Sequence, residues 1–184
     1  MAPMQSELSF DRDDHVYFFR GRPLSGITGL VGLRLGKVFP ACLTEVIDEA
    51  RFFGTSMHQD LEAFVKKGRK PTHDVSRFAC EEFSRICPKG EYLWASEYLV
   101  SDFKDNATAI DIIGIKDGQA ITFDLKTGNF NRDYCSWQLG IGNYFLEIST
   151  GIKAVESYVI SSKDKFTYTI KPKSRERVEA LLYG

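Results

Sequence analysis

Two aspartates are brought together by a predicted β-hairpin. Asp117-Gly118 lies between two alternating apolar runs, which is typical of a two-residue hairpin turn. With this turn, Asp111 lies directly opposite Asp124 in a non-hydrogen-bonded pair, where Cβ atoms are about 4.5–5.5 Å apart. Two like charges at this spacing destabilise a sheet unless a cation compensates, and a hard divalent ion bound by carboxylate oxygens would do so. The hairpin therefore predicts a metal site.

Lys126 lies on the same strand face as Asp124. Along residues 119–126 the apolar side chains alternate with Thr122, Asp124 and Lys126, so an ammonium group accompanies the acid pair. The alternative is an edge hairpin with a solvated polar face and an ordinary salt bridge. The partner strand is apolar on both faces, which favours a central strand and hence the metal site; its apolar residues are Ile110, Ile112, Ile113 and Ile115.

A predicted helix supplies a further candidate ligand. Apolar residues recur at three- and four-residue steps over residues 41–66, and Gly68 and Pro71 end the pattern. His58 and Glu62 are four residues apart, so they share one helix face. His58 is a candidate third metal ligand and Glu62 a further one, although a structural role for the histidine is the alternative.

The elements that position these residues predict an α/β fold with a central mixed sheet flanked by helices. The 184 residues suit a single domain, in which 1–40 form an N-terminal extension and 41–184 the core. The predicted elements are a short strand and turn at 16–22, helices at 41–66, 75–85, 133–148 (closed by Gly151) and 174–182, and strands at 92–100, 108–115, 119–126, 154–161 and 166–171.

Composition excludes several other classes of protein. No apolar run approaches the roughly 18 residues of a membrane span, and the first residues lack a signal-peptide pattern, which predicts an intracellular, cytoplasmic protein. The four cysteines have no paired spacing, which favours structural thiols over zinc, an iron–sulfur cluster or disulfides; they are Cys42, Cys80, Cys87 and Cys135. The net charge of −1 does not indicate a nucleic-acid binder, but a basic C-terminal stretch could follow phosphates or form a solvated face; it contains Lys163, Lys165, Lys171, Lys173 and Arg175.

These residues resemble the motifs of a known nuclease superfamily. Asp111 followed by Asp124-Leu125-Lys126-Thr127-Gly128 resembles motifs II and III of the RecB-like branch of the PD-(D/E)XK nucleases. The segment from Ala50 to His58 resembles motif I of that branch, a helix that carries a metal-binding histidine. Glu62 and Glu97 are similar to acidic residues found one helical turn later and on the first strand. The resemblance covers residues 17–160 and implies a restriction-endonuclease-like αβββαβ core.

The resemblance also implies residue roles. Asp111, Asp124 and Lys126 would be catalytic, and one or two Mg²⁺ or Mn²⁺ ions would be bound by His58, Asp111, Asp124 and the Leu125 backbone carbonyl, with Glu62 as a further candidate. The hydroxyls of Ser25 and Thr28 resemble a serine and threonine signal seen ahead of motif I, close to bound nucleic acid. The other nucleic-acid candidates are Glu97 as a site-lining residue, Tyr134, Gln138 and Tyr144.

One position departs from the pattern of this branch. Its Gln-x-x-x-Tyr signature on the helix after the hairpin has Gln138 here but Gly142 in the tyrosine position. Of the neighbouring aromatics, Tyr134 shares the helix face of Gln138, being one turn before it. This departure concerns the nucleic-acid contact and leaves the metal site intact.

The sequence thus leads to three hypotheses. The first is a DNA exonuclease of recombination, repair or phage DNA processing, alone, as a homo-oligomer or with a recombination or replication partner. The second is a structure-specific endonuclease on the same fold, because active-site motifs do not determine how DNA ends are recognised. The third is a non-catalytic nucleic-acid-binding module, against which the intact Asp111, Asp124 and Lys126 argue.

Overall fold

A computed structural model of the protein describes residues 7–36 and 44–184, and for residues 44–53 it describes the helical backbone only. The described residues form eight strands and five helices. In chain order these are β1 (Leu8–Asp11), β2 (Val16–Phe19), β3 (Arg22–Gly26), α1 (Ile27–Arg34), α2 (Thr44–Lys67), α3 (Asp74–Ile86), β4 (Leu93–Ser101), β5 (Asn106–Lys116), β6 (Gln119–Lys126), α4 (Arg132–Thr150), β7 (Lys153–Ser161), β8 (Phe166–Thr169) and α5 (Arg175–Tyr183).

One mixed sheet runs through the protein, which confirms the predicted α/β fold with a central mixed sheet and flanking helices. Its main part has the order β4-β5-β6-β7-β8, in which only β6 and β7 are parallel. β5 pairs with both β4 and β6, so it is a central strand, as its apolar residues predict. β1, β2 and β3 form an antiparallel meander that joins the sheet through a short parallel pairing of β3 with β5.

One edge of β5 is interrupted. Ala107 pairs with β4 on one edge and with β3 on the other, while Ile112 pairs with β4 and with β6. β3 and β6 therefore share an edge of β5, and between them residues 108–111 have no strand partner on that edge in the described part of the chain. This interruption, the β5 gap (residues 108–111), leaves room beside the sheet where Asp111 is located.

Helices cover both faces of the sheet, and each face buries its own apolar cluster. On one face α2 and α3 pack on β5, β6 and β7 through Met57, Leu61, Phe83, Ile112, Phe123, Leu125 and Ile160. On the other face α1, α4 and α5 pack through Val31, Ile113, Trp137, Ile141, Phe145 and Val178. The face of β6 that carries Asp124 is therefore covered by α4 and is not a solvated polar face.

The capping residues of α4 determine where this helix begins and ends. The Asn131 side chain accepts a hydrogen bond from the Tyr134 amide at 3.0 Å, which is the usual interaction at a helix N-terminus. At the other end Gly151 adopts φ +76°, the left-handed conformation that ends helices and favours glycine. α4 consequently begins just after the loop that follows Lys126 and carries Gln138 across the sheet.

The hairpin prediction is confirmed over most of its length. β6 has the predicted bounds, and the predicted register holds from Lys116↔Gln119 to Ile112↔Phe123. The ladder ends there, one residue before the predicted pairing of Asp111 with Asp124. Most other predicted elements agree with the structure to within one or two residues.

The N-terminal part agrees with the prediction only in part. The predicted strand and turn at 16–22 is confirmed, since β2 spans Val16–Phe19 and the chain turns at Arg20-Gly21. The sequence does not predict β3, which follows this turn and in which Pro23 pairs with Phe18. The sequence also does not predict β1. It does not predict α1 either, because that helix contains two glycines, which are poor helix formers. Residues 41–43 of the predicted helix, including Cys42, and the side chains of Ala50 and Phe53 lie outside what is described.

Within the described residues, no helix combines the length and the apolar character needed to cross a membrane.

Candidate metal centre

Three potential metal ligands from three elements meet beside the β5 gap. His58 of α2, Glu97 of β4 and Asp111 of β5 each offer one ligand atom, and these atoms lie within 4.8 Å of one another. Glu97 Oε1 is 2.8 Å from His58 Nδ1, and Asp111 Oδ2 is 3.9 Å from His58 Nε2. Each ring nitrogen of the histidine therefore faces a different carboxylate. Glu97, expected only to line the site, is one of its central members.

The backbone at Glu97 is distorted. Its φ of +48° lies in the left-handed region, which costs a non-glycine residue about 1–2 kcal/mol. The β4–β5 ladder includes Ser96↔Ile112 and Tyr98↔Ile110 but not the Glu97 position between them, which faces Asp111. The distortion thus falls where the two acids lie side by side, and strained backbone of this kind clusters at functional sites.

Asp111 is held by a backbone hydrogen bond from β6. The Leu125 amide donates to Asp111 Oδ2 at 2.8 Å, so the carboxylate takes the place of a strand partner at the end of the ladder. This bond separates the two strands and fixes Asp111 next to the segment that carries Asp124. The predicted pair is therefore adjacent, but it is joined through the Leu125 amide and not by direct opposition.

Asp124, Lys126 and Gln138 form the second half of the site. Lys126 Nζ donates to Asp124 Oδ1 at 2.9 Å and to Gln138 Oε1 at 3.2 Å. The other oxygen of Asp124 is buried and has no partner within hydrogen-bond geometry in the described part of the chain. Burial raises the pKa of Asp124, and the nearby Cys135 thiol, a weak donor, opposes this rise only in part. A buried carboxylate oxygen without a partner is costly unless a cation satisfies it.

The two buried aspartates of the site are only partly neutralised by the neighbouring cationic side chains. Burial raises the pKa values of Asp111 and Asp124, and the attraction of His58 and Lys126 only partly opposes it. Burial lowers the pKa of His58, but Asp111 and Glu97 outweigh it and raise that pKa to about 9. Burial likewise lowers the pKa of Lys126, but the negative charges of Asp124 and Asp111 outweigh burial and raise this pKa overall. The ammonium therefore stays charged at neutral pH.

The donor set fits a hard divalent cation. Carboxylate oxygens suit Mg²⁺ and Mn²⁺, and an imidazole nitrogen is accepted by Mn²⁺ in particular. The second oxygen of Asp124 is the observation that tests this fit, because it is buried without a hydrogen-bond partner among the described residues, while Lys126 pairs with the first oxygen. A cavity of about 40 Å³, enough for a few waters, adjoins the acids; its lining includes Thr108, Asp111, Asp124, Gln138, Gly142 and Asn143.

Glu62 does not join this cluster. Its carboxylate pairs with Arg12 at 2.8 Å and with Lys66 at 2.6 Å. Arg12 lies in the turn between β1 and β2, and Tyr17 of β2 approaches the same side of the site. Burial and the Glu97 carboxylate raise the pKa of the Tyr17 hydroxyl to about 12. Both residues neighbour the acids through the tertiary fold, and no sequence motif indicates this.

Three of the predicted nucleic-acid residues lie next to the site. The Thr28 hydroxyl hydrogen-bonds the hydroxyl of Tyr134. Burial raises the pKa of Tyr134, and the charge of the nearby Lys126 opposes this rise only in part. Gln138 contacts Lys126 directly. Ser25 is exposed in β3, and its amide binds the Asp105 carbonyl at 2.7 Å.

Tyr144 is not brought to the site. It lies beside α5, with the Arg175 guanidinium 5.3 Å from its ring centroid. At Gly142, where the resemblance expects a tyrosine, an added Cβ would be 3.4 Å from the Ile110 side chain. α4 therefore lies in van der Waals contact with β5 at this point.

The chain matches no protein-family model, and neither a curated protein nor a solved structure is similar to it. The resemblance to the PD-(D/E)XK nucleases therefore rests on the residues of this chain and their arrangement.

Proposed function

We propose that the protein is a metal-dependent nuclease that hydrolyses DNA phosphodiester bonds. The observation that carries this proposal is the convergence of His58, Glu97 and Asp111 within 4.8 Å, next to the buried Asp124–Lys126 pair. Acids buried close together, with one carboxylate oxygen lacking a hydrogen-bond partner among the described residues, make a site that favours a bound cation. A phosphodiester is an anion, and its hydrolysis needs a cation and a positioned water.

The ligands would be His58, Glu97, Asp111 and Asp124, with the Leu125 backbone carbonyl beside them. When bound there, Mg²⁺ or Mn²⁺ polarises the scissile phosphate, lowers the pKa of a water and stabilises the leaving oxygen. The contribution of the protein is to hold these oxygens in place, which the Leu125 amide does for Asp111 and Lys126 does for Asp124.

Lys126 would position the attacking water and stabilise negative charge in the transition state. Its ammonium is oriented by Asp124 and Gln138, and its side chain is only 23% exposed. A group whose pKa is raised in this way is a poor general base at neutral pH. Charge stabilisation by a fixed ammonium is therefore the role that its surroundings support.

The neighbouring polar groups would place the DNA strand. Thr28 and Tyr134 present adjacent hydroxyls on the side of Lys126, where they could bind a phosphate. An exonuclease in recombination, repair or phage DNA processing is the form of the activity that we propose. Such a substrate would place the protein with DNA inside the cell, as a homo-oligomer or with a recombination partner.

A cleavage assay tests the proposal. Linear and covalently closed circular DNA, single- and double-stranded, are incubated with the protein in Mg²⁺, Mn²⁺ or EDTA. We expect metal-dependent loss of linear DNA by the wild type, and none by Lys126→Ala. Lys116→Ala is the matched control, because Lys116 lies at the other end of the same hairpin, and it should cleave normally. Circular dichroism establishes that each variant is folded.

Each outcome separates the hypotheses. Cleavage of closed circles would replace the exonuclease by the endonuclease hypothesis. Absence of cleavage in every metal by a folded protein that binds DNA would support the non-catalytic module instead. Normal cleavage by Lys126→Ala would show that the assigned site is wrong.

A further inference from the structure

An aromatic and basic surface lies next to the candidate site, at the outer edge of the sheet. β8 is the last strand of the sheet, and its Phe166 is 57% exposed. The Phe166 and Phe130 rings flank that of Tyr168, with centroids 4.8 Å and 5.3 Å away. We call this the edge surface and define it by Phe130, Phe166 and Tyr168 with Arg132, Lys163 and Lys165.

The edge surface is continuous with the catalytic strand. Lys126 pairs with Ser161 at the end of β7, and the Ser162 amide donates to the Lys126 carbonyl at 2.9 Å. The turn from β7 to β8 begins at this point, and Lys163 in that turn donates to Asn129 in the loop after β6. A strand leaving the site past Lys126 would therefore meet this surface first.

The charges of the edge surface suit a polyanion. Arg132 stacks on the Tyr168 ring at 4.8 Å, and within the described ranges neither Lys163 nor Lys165 pairs with a carboxylate. The opposing acid is Asp164, which accepts hydrogen bonds from Ser161 and from the Tyr168 hydroxyl. Two other basic residues of the C-terminal stretch are occupied, since Lys173 pairs with Asp133 and Arg175 pairs with Glu179.

A second aromatic group provides a contrast. Phe10 contacts His15 and Tyr17 in the β1–β2 hairpin, with ring centroids 5.0 Å and 4.5 Å away. The turn of that hairpin has the sequence Asp11-Arg12-Asp13-Asp14, and its arginine is paired with Glu62. Its net negative charge repels phosphates, so aromatic rings alone do not distinguish the two surfaces, whereas charge does.

We propose that the edge surface binds the single strand of the DNA substrate, by stacking bases on Phe166 and Tyr168 and binding phosphates with Lys163, Lys165 and Arg132. Exposed aromatics with basic residues between them are the arrangement that binds single strands with little sequence preference. The proposal rests on the proposed nuclease function, because it takes the strand from that site.

Binding without metal tests the proposal separately from catalysis. Fluorescence anisotropy in EDTA measures the affinity of the full protein for a labelled thymidine oligonucleotide of about 12 nucleotides and for an abasic oligonucleotide of equal length. The wild type should prefer the oligonucleotide with bases. Phe166→Ala should weaken that binding about fivefold or more and leave abasic binding nearly unchanged. Leu93→Ala is the matched control, since Leu93 is 76% exposed on β4, and it should bind normally.

The charge arm compares two lysines near opposite ends of β7. Lys165→Ala should reduce the slope of log affinity against log salt concentration by about 0.7, whereas Lys153→Ala, at the far end of β7, should leave it unchanged. Equal affinity of the wild type and Phe166→Ala, or an equal effect of Leu93→Ala, would overturn the proposal. Failure of cleavage with these binding results intact would refute the nuclease function and leave the binding surface standing.

Discussion

Replacing Asp111 by asparagine should stabilise the protein when metal is absent. Asparagine has the shape of aspartate and can still accept the Leu125 amide hydrogen bond, but it carries no charge. Because burial raises the pKa of Asp111, its ionised form is disfavoured in the folded state at neutral pH. The side chain is only 18% exposed, so solvent screens this cost only modestly. We expect Asp111→Asn to raise the free energy of unfolding in EDTA by about 1 kcal/mol, the usual scale of the effect of a single substitution.

Metal should reverse this order of stability. At a Mn²⁺ concentration about 100 times the dissociation constant, binding stabilises the wild type by about 2.7 kcal/mol. Asp111→Asn loses a ligand and gains much less, so the wild type becomes the more stable of the two. Urea denaturation followed by circular dichroism, in EDTA and in Mn²⁺, measures all four free energies.

Asp102→Asn is the matched control for this reversal. Asp102 is also a buried aspartate, but three backbone amides donate to its Oδ1 at 2.9 Å, and these hydrogen bonds lower its pKa despite burial. Its replacement should destabilise the protein equally in EDTA and in Mn²⁺. The reasoning would be refuted if Asp111→Asn were less stable than the wild type in EDTA, or if Mn²⁺ stabilised both proteins equally.

Two further predictions concern stability. Because the pKa of Asp102 is lower in the folded than in the unfolded state, its ionised form stabilises the protein above the unfolded pKa near 3.9, and this stabilisation is lost as the pH falls below that value. Urea titrations should therefore show a difference of about 2 kcal/mol between the wild type and Asp102→Asn at neutral pH, and a smaller difference in acid. An unchanged difference at low pH would contradict this. Gly140→Ala should destabilise the protein by about 2 kcal/mol or more, because the added Cβ would be 2.9 Å from the Lys173 amide nitrogen. Gly32→Ala in α1 is the control: its added Cβ meets no atom within 4 Å, so this variant should be as stable as the wild type or more stable. Similar thermal unfolding midpoints for the two variants would argue against this packing.

The hairpin register was the most informative feature of the sequence, because turn chemistry and alternation are local. Asp117-Gly118 determines which residues pair, and the structure follows that register for five pairs. Glu97 was expected near the site only from the family resemblance, and it is the β4–β5 register of the structure that makes it the neighbour of Asp111, since Ser96↔Ile112 and Tyr98↔Ile110 flank them. What the register does not reveal is the end of the ladder at Ile112, which depends on Asp111 accepting the Leu125 amide.

The contacts of the N-terminal strands could not be predicted from sequence. Arg12 and Tyr17 approach acids that are about 50 to 95 residues away along the chain, and only the pairing of β3 with β5 brings them there. Tyr144 shows the opposite error, because proximity to Gln138 in sequence did not place it near the site. At Gly142, the position of the expected tyrosine, an added Cβ would be 3.4 Å from the Ile110 side chain, a contact between α4 and β5 that the sequence does not indicate.

The most direct test of the central claim combines Mn²⁺ binding and DNA cleavage in the wild type and in Asp124→Ala. Isothermal titration calorimetry measures Mn²⁺ binding, and loss of linear DNA is measured on the same samples. We expect saturable Mn²⁺ binding by the wild type, with cleavage that follows the same saturation curve, and loss of both in Asp124→Ala. Normal cleavage by folded Asp124→Ala, or cleavage by the wild type without Mn²⁺ binding, would contradict it.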